Sequence, residues 1–256
     1  MSTSSPAINK DKDSHRPSAA VNKDLIVLFC CTPLTGHLLS NLQIAQYLVE
    51  RGYDVTFLGS TLNKPAIERT GARFMQHTGL QNYSSENLFE LFPELPDMTD
   101  GLDGFARYAE NLWANAMPSA SESVKNALGA LRRGAPEKKI VIVCETWFTG
   151  VLPFKLGADL PEGFTELPKT LGTSILPATF ASIDTGSMGT ALPFDNSESG
   201  RARNIMLAKL LATSSPFKEV GAYRDKMLRA CGAKRGIETL FNGHDKLVHP
   251  GIFDPT

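Results

Sequence analysis

Apolar residues first become dense at Leu25. Residues 25–31 (LIVLFCC) form an unbroken run rich in β-branched and aromatic side chains, the pattern of a strand covered on both faces. Residues 32–37 (TPLTGH) are short and polar and predict a turn. From Leu38 the spacing becomes helical. Leu38, Leu42, Ala45, Leu48 and Val49 share a face, while Asn41, Gln43, Gln46 and Glu50 point elsewhere. Gly52 stands where a helix C-cap is expected. Residues 53–60 (YDVTFLGS) predict a second buried strand. Together these segments make a βαβ module with a right-handed crossover.

The alternation continues more weakly. Residues 63–70 (NKPAIERT) predict a short helix, with Pro65 in its first turn and Gly71 stopping it. Residues 72–79 predict a third strand. Residues 80–103, cut by Pro93 and Pro96, predict a long mixed loop, a length often tied to function. Helical spacing returns at Phe105, Tyr108 and Leu112, then at Val124, Leu128 and Leu131, with a break or kink expected at Pro118. Residues 140–145 (IVIVCE) predict another buried strand, followed by a turn into a helix. A further strand is expected at 168–174, a loop at 176–196, and helices at 201–211 and 217–230. Strands alternating with helices predict an α/β fold with an open, mostly parallel sheet. Ligands of such sheets bind outside the carboxyl ends of the strands. That points to residues 32–37 and 145–150.

Composition narrows the classes. The chain has 256 residues, 42 % of them apolar, and a formal charge of −1. No net field draws it to nucleic acid or to an acidic membrane surface. Its four cysteines have no zinc-site spacing and are too sparse for a disulfide scaffold, which fits a reduced, cytoplasmic setting. Residues 1–23 are rich in Ser, Lys and Asp and read as a disordered tail, not a signal peptide. No apolar stretch reaches the length of a membrane span. The expected organisation is that tail, a domain over residues 24–230, and a C-terminal extension or linker over 231–256.

Gly36–His37 lies between a buried strand and a helix. The glycine permits close backbone approach or unusual dihedrals, and the helix start favours negative charge. Two readings of His37 stay open: a cap for the turn, or a reactive imidazole. Glu145 ends an apolar strand, where acids are rare unless paired. It either points to solvent or holds the His37 ring and stabilises its protonated form. Trp113, Trp147 and Phe148 line an apolar pocket or are ordinary core. The same two alternatives, phosphate contact or plain surface, apply to Arg201. Walker A, G-x-G-x-x-G, H-E-x-x-H and G-x-S-x-G patterns are absent, which argues against a P-loop protein, a dinucleotide enzyme, a zincin or an α/β-hydrolase.

Pro33, Gly36, His37, the helix through Leu42 and Leu48, and residues 50–60 (ERGYDVTFLGS) resemble the opening of the UDP-glycosyltransferase superfamily. These are inverting enzymes with two facing Rossmann-like domains, the GT-B arrangement. Residues 171–193 (LGTSILPATFASIDTGSMGTALP), with Ser182–Thr185 as an S-x-D-T-like element, are similar to its fungal small-molecule and sterol-type branch. The resemblance spans roughly residues 24 to 215. It implies sugar transfer from a UDP-sugar to a hydroxyl of a small-molecule acceptor, in secondary metabolism. His37 would be the base, with Glu145 in the place of an orienting aspartate. Thr35, Gly36, Trp147, Phe148 and Asp184 would lie on the acceptor side. The UDP-sugar is a substrate, and the resemblance implies neither a cofactor nor a metal. The family's donor-side motifs, a Trp-x-Pro-Gln segment and a His-x-Gly-x-x-Ser turn, do not occur. The chain therefore reads as an acceptor-side half that needs a donor-domain partner, or as a non-catalytic acceptor-binding subunit.

Overall fold

Alternation along β1 (Leu25–Cys30) builds the two halves of the core. In the computed structural model, which describes residues 24–95, 101–175, 183–186, 190 and 192–237, Ile26, Leu28 and Cys30 enter one buried cluster. Val27, Phe29 and Cys31 enter another. A strand can supply both only when each face is covered, as the unbroken apolar run predicts. The tail expected at 1–23, part of the loop expected at 176–196, and residues 238–256 lie outside the described residues.

α1 (Thr35–Glu50), β2 (Asp54–Gly59), α2 (Lys64–Arg69) and β3 (Arg73–Gln76) follow in order, so the βαβ module forms as expected. Gly52 closes α1 with φ of 85° and donates its N–H to the Val49 carbonyl. Further on come α3 (Leu88–Leu91), α4 (Leu102–Tyr108), a π-helical stretch (Ala109–Asn115) and α5 (Met117–Gly134). The interruption precedes Pro118, which stands in the first turn of α5, where its missing N–H is harmless. Then come β4 (Lys139–Glu145), α6 (Leu152–Lys155), β5 (Lys169–Thr173), α7 (Glu198–Thr213) and α8 (Phe217–Ala230).

The five strands form one parallel sheet in the order β3-β2-β1-β4-β5, a Rossmann-like α/β architecture. α1 and α2 cover the face that carries Phe29 and Phe57. α5, α6 and α8 cover the other. Ala233 and Ile237, just beyond α8, are buried in that second cluster too. At Gly150 the turn after β4 presses on α5: a Cβ there would meet the Ala120 carbonyl oxygen at 2.6 Å. No described helix is long and apolar enough to cross a membrane.

Two sequence-based expectations need correction. α1 starts at Thr35, so Gly36 and His37 belong to its first turn and not to a preceding loop. The helix has no capping side chain of its own. Ser85, from the loop before α3, accepts the Thr35 N–H at 2.9 Å and its hydroxyl at 3.0 Å. Asn41, expected to point away from the apolar face, is 1 % exposed. Its neighbours on α1, Gln43, Gln46 and Glu50, are exposed as expected.

Candidate functional site

The period of two that sorts the core also aims Glu145. Along β4, Ile140, Ile142 and Cys144 face the α5 side, and Val143 faces the α1 side. Glu145 continues the Val143 register and turns its carboxylate toward the first turn of α1. There its Oε2 lies 3.2 Å from His37 Nδ1, with side-chain exposures of 0 % for Glu145 and 14 % for His37. The approach is bent, short of hydrogen-bond alignment, and neither atom has another hydrogen-bond partner. The other oxygen, Oε1, accepts the Trp147 N–H at 3.0 Å and the Thr146 hydroxyl at 3.4 Å. The geometry thus brings together two side chains far apart in the sequence, at the carboxyl ends of adjacent strands. Of the two readings of Glu145, the solvent-facing one is excluded by its burial.

Groups around the carboxylate are neutral. Burial, reinforced by the charge of Glu145, pushes the Tyr83 phenol and the Cys31 thiol well above their ordinary ranges. Tyr83 is fully buried and its hydroxyl has no hydrogen-bond partner. The His37 imidazole lies within ion-pair distance of the Glu145 side chain. Among the described residues, no cluster of three or more His, Cys, Asp or Glu side chains could hold a metal ion.

The remaining expected residues divide. Thr35 and Gly36 lie exposed beside His37. Gly36 uses no left-handed conformation, and a Cβ added there would meet open space. Trp147 packs on Trp113 of the π-helical stretch, with ring centroids 4.5 Å apart, and edge-on against Phe105. Both indole N–H groups are buried without a partner. Phe148 is 1 % exposed within the main core and stacks on His77 at 5.6 Å; its burial is that of a core residue. Asp184 is drawn into another set of bonds. Its carboxylate pairs with Arg201 Nε at 2.6 Å, and its carbonyl accepts the Asp195 N–H. Arg201, the candidate phosphate contact, is thereby engaged.

Sequence reasoning missed Asn41, Thr173, Tyr83 and His77. A polar residue one helical turn after His37 and next to the apolar Leu42 was the available signal for Asn41. The signal for His77 was its place at the end of a predicted strand.

His77 is fully buried, and burial pushes its pKa down to about 3 against a pull from the Cys31 backbone. It is neutral in the folded protein. Once unfolded, the ring protonates near its ordinary 6.5. The unfolded state therefore binds the extra proton between these values, and stability falls as pH drops from about 6.5 toward 3. The loss amounts to at most about 5 kcal/mol at 1.36 kcal/mol per pKa unit. Urea midpoints measured from pH 7 to pH 4 should show a steeper decline in the native protein than in His77→Leu. Equal slopes would place the ring in water.

No protein-family model matches the chain, whereas individual proteins do. Over 216 residues it is 29 % identical to UDP-glycosyltransferase 2 of Phaeomoniella chlamydospora, covering 84 % of this chain and 46 % of that protein. Over 156 residues it is 33 % identical to UDP-glucosyltransferase B1 of Starmerella bombicola, covering 60 % of this chain and 34 % of that protein. Among solved structures, the glycotransferase of kitacinnamycin aligns with a TM-score of 0.47 at 13 % identity, over 88 % of this chain and 43 % of that one. The chain is homologous to UDP-glycosyltransferases at low identity, and it spans less than half the length of these relatives.

Proposed function

We propose that this chain forms the acceptor-side half of an inverting, UDP-sugar-dependent glycosyltransferase, with His37 as the general base. The carrying observation is the His37–Glu145 pair, Nδ1 to Oε2 at 3.2 Å. With Nδ1 turned to the carboxylate, Nε2 is left for an acceptor hydroxyl. It takes the hydroxyl proton as the oxygen attacks the anomeric carbon. The bond from that carbon to UDP breaks on the opposite face, and the configuration inverts. The imidazolium formed in this step gains the neighbouring carboxylate as counter-charge. Glu145 is a positioning residue in this scheme. Its extra methylene, relative to the aspartate the resemblance implies, still brings it within ion-pair distance of the ring.

The donor contacts belong to a second Rossmann-like unit, in the same polypeptide or in a separate subunit. Homology to proteins named as UDP-glycosyltransferases supports the reaction class. Open space beside Gly36 supports an acceptor that approaches the first turn of α1.

The bent contact between Nδ1 and Oε2 favours a second reading, an acceptor-binding subunit without chemistry. One experiment separates the two. The protein is incubated with UDP-glucose and a panel of phenolic, sterol and polyketide alcohols, alone and with the separately produced donor-binding half of a homologous UDP-glucosyltransferase. Acceptor binding is followed by quenching of Trp113 and Trp147 fluorescence, and product by mass spectrometry. The transferase reading expects an inverted glycoside once the donor half is present. Quenching without product supports the binding subunit, and neither signal removes both.

A further inference from the structure

The base and its carboxylate come from two different elements, packed together through the apolar layer that holds Leu38, Leu42 and Val143. His37 rides on α1, and Glu145 ends β4. A buried side chain of α1 reaches β5, the strand paired with β4. Asn41, one helical turn after His37, donates its Nδ2–H to the His37 carbonyl at 2.9 Å. Its Oδ1 accepts the Thr173 hydroxyl at 2.8 Å. A carbonyl only accepts, so the amide orientation is fixed by the His37 contact, and Thr173 must be the donor on the other side. Thr173 is the register partner of Glu145 across β4 and β5. Its own carbonyl accepts the N–H of Thr146 at 2.8 Å, directly after Glu145. One residue of the edge strand thus grips the carboxylate's backbone with its main chain and the histidine's backbone, through Asn41, with its side chain.

We infer that Asn41 and Thr173 form a positioning strap that sets the approach of His37 Nδ1 to Glu145. This rests on the dyad reading above. A buried amide on an apolar helix face is costly unless its hydrogen bonds are made. Leucine would fill the same volume without that cost. Asn41 is 1 % exposed and makes both of its strong bonds to this assembly. The weaker Sγ contacts of Cys31, to the Asn41 amide at 3.6 Å and to the His37 carbonyl at 3.4 Å, tie the same turn to the end of β1.

The test reads the imidazole directly. Nitrogen-15 shifts of His37 in the neutral protein report which ring nitrogen carries the proton. The strap holds Nδ1–H toward Glu145, so the native protein should show the Nδ1–H form as the major species. Asn41→Leu and Thr173→Val, both close in shape to the native side chains, should shift the population toward Nε2–H. Thr173→Ser keeps the hydroxyl and should restore the native spectrum. With a donor half supplied, kcat should fall roughly 10- to 100-fold in the first two variants, with KM within about twofold of native. Tautomer shifts that follow this order without any sugar transfer would keep the strap and remove the transferase reading. Native tautomer populations in folded Asn41→Leu and Thr173→Val would overturn the strap even if transfer is efficient. A native protein already in the Nε2–H form would overturn both.

Discussion

His37→Ala should lower kcat/KM for sugar transfer by about 10²–10⁴-fold, the range in which a positioned general base contributes, while the fold persists. The side chain is 14 % exposed and sits in the first turn of α1, at the carboxyl edge of the sheet. Its removal opens a path for water to the Glu145 carboxylate, which keeps the Trp147 N–H on its other oxygen. The variant should therefore retain native far-ultraviolet circular dichroism and acceptor binding, and lose turnover. Activity within about threefold of native would assign proton removal to another group, since less than 1 kcal/mol of transition-state stabilisation would then have been lost.

The largest expected loss of stability comes from the apolar layer beneath α1 and α2, at Phe57→Ala. Phe57 and Phe29 are fully buried on adjacent strands, their rings stacked with centroids 5.3 Å apart and planes 3° from parallel. Leu42, Ala45 and Ile67 close over them from α1 and α2. A ring removed from that layer leaves a cavity that two helices and a sheet cannot collapse to fill. The cost should be about 3–5 kcal/mol, against a total stability on the order of 5–15 kcal/mol. Denaturant unfolding of the variant checks this. A midpoint shift equivalent to less than about 1 kcal/mol would mean that the layer repacks freely.

The two experiments probe features that differed in how plainly the sequence showed them. Phe29 and Phe57 were visible because two-sided burial makes a strand read as a continuous apolar run. β4 and α8 were visible for equally local reasons, and α8 spans the residues expected of it. The start of α1 was not. Its first turn is capped by Ser85, a residue far along the chain, and the N-cap position is Leu34, which offers no capping side chain. Asn41 was misplaced for the same reason. A partner on β5 satisfies the buried amide's oxygen, and no periodicity in residues 38–52 carries information about Thr173.

Glu145 lies between these cases. Its burial is encoded in the alternation of β4, which assigns it to the α1 face together with Val143. Its proximity to His37 is not, because that depends on β4 lying next to β1. The order β3-β2-β1-β4-β5 is a property of long-range pairing. The aromatic neighbours show the limit of composition as a guide. Trp147 and Phe148 are adjacent and look equivalent in sequence, yet one meets Trp113 near the site and the other stacks on His77 within the core.

That strand order also imposes a sequence in time. A ribosome delivers β1, α1, β2, α2 and β3 first, and these already satisfy one another. β1 keeps an open edge until β4 has been made, because its second partner lies beyond the whole of α5. During that interval His37 is present and Glu145 is not. The pair that the proposed chemistry needs is completed by the closing of this central seam, and its strap waits for one more strand, β5. Any nascent chain halted before β4 thus lacks Glu145 and, with it, the His37–Glu145 pair.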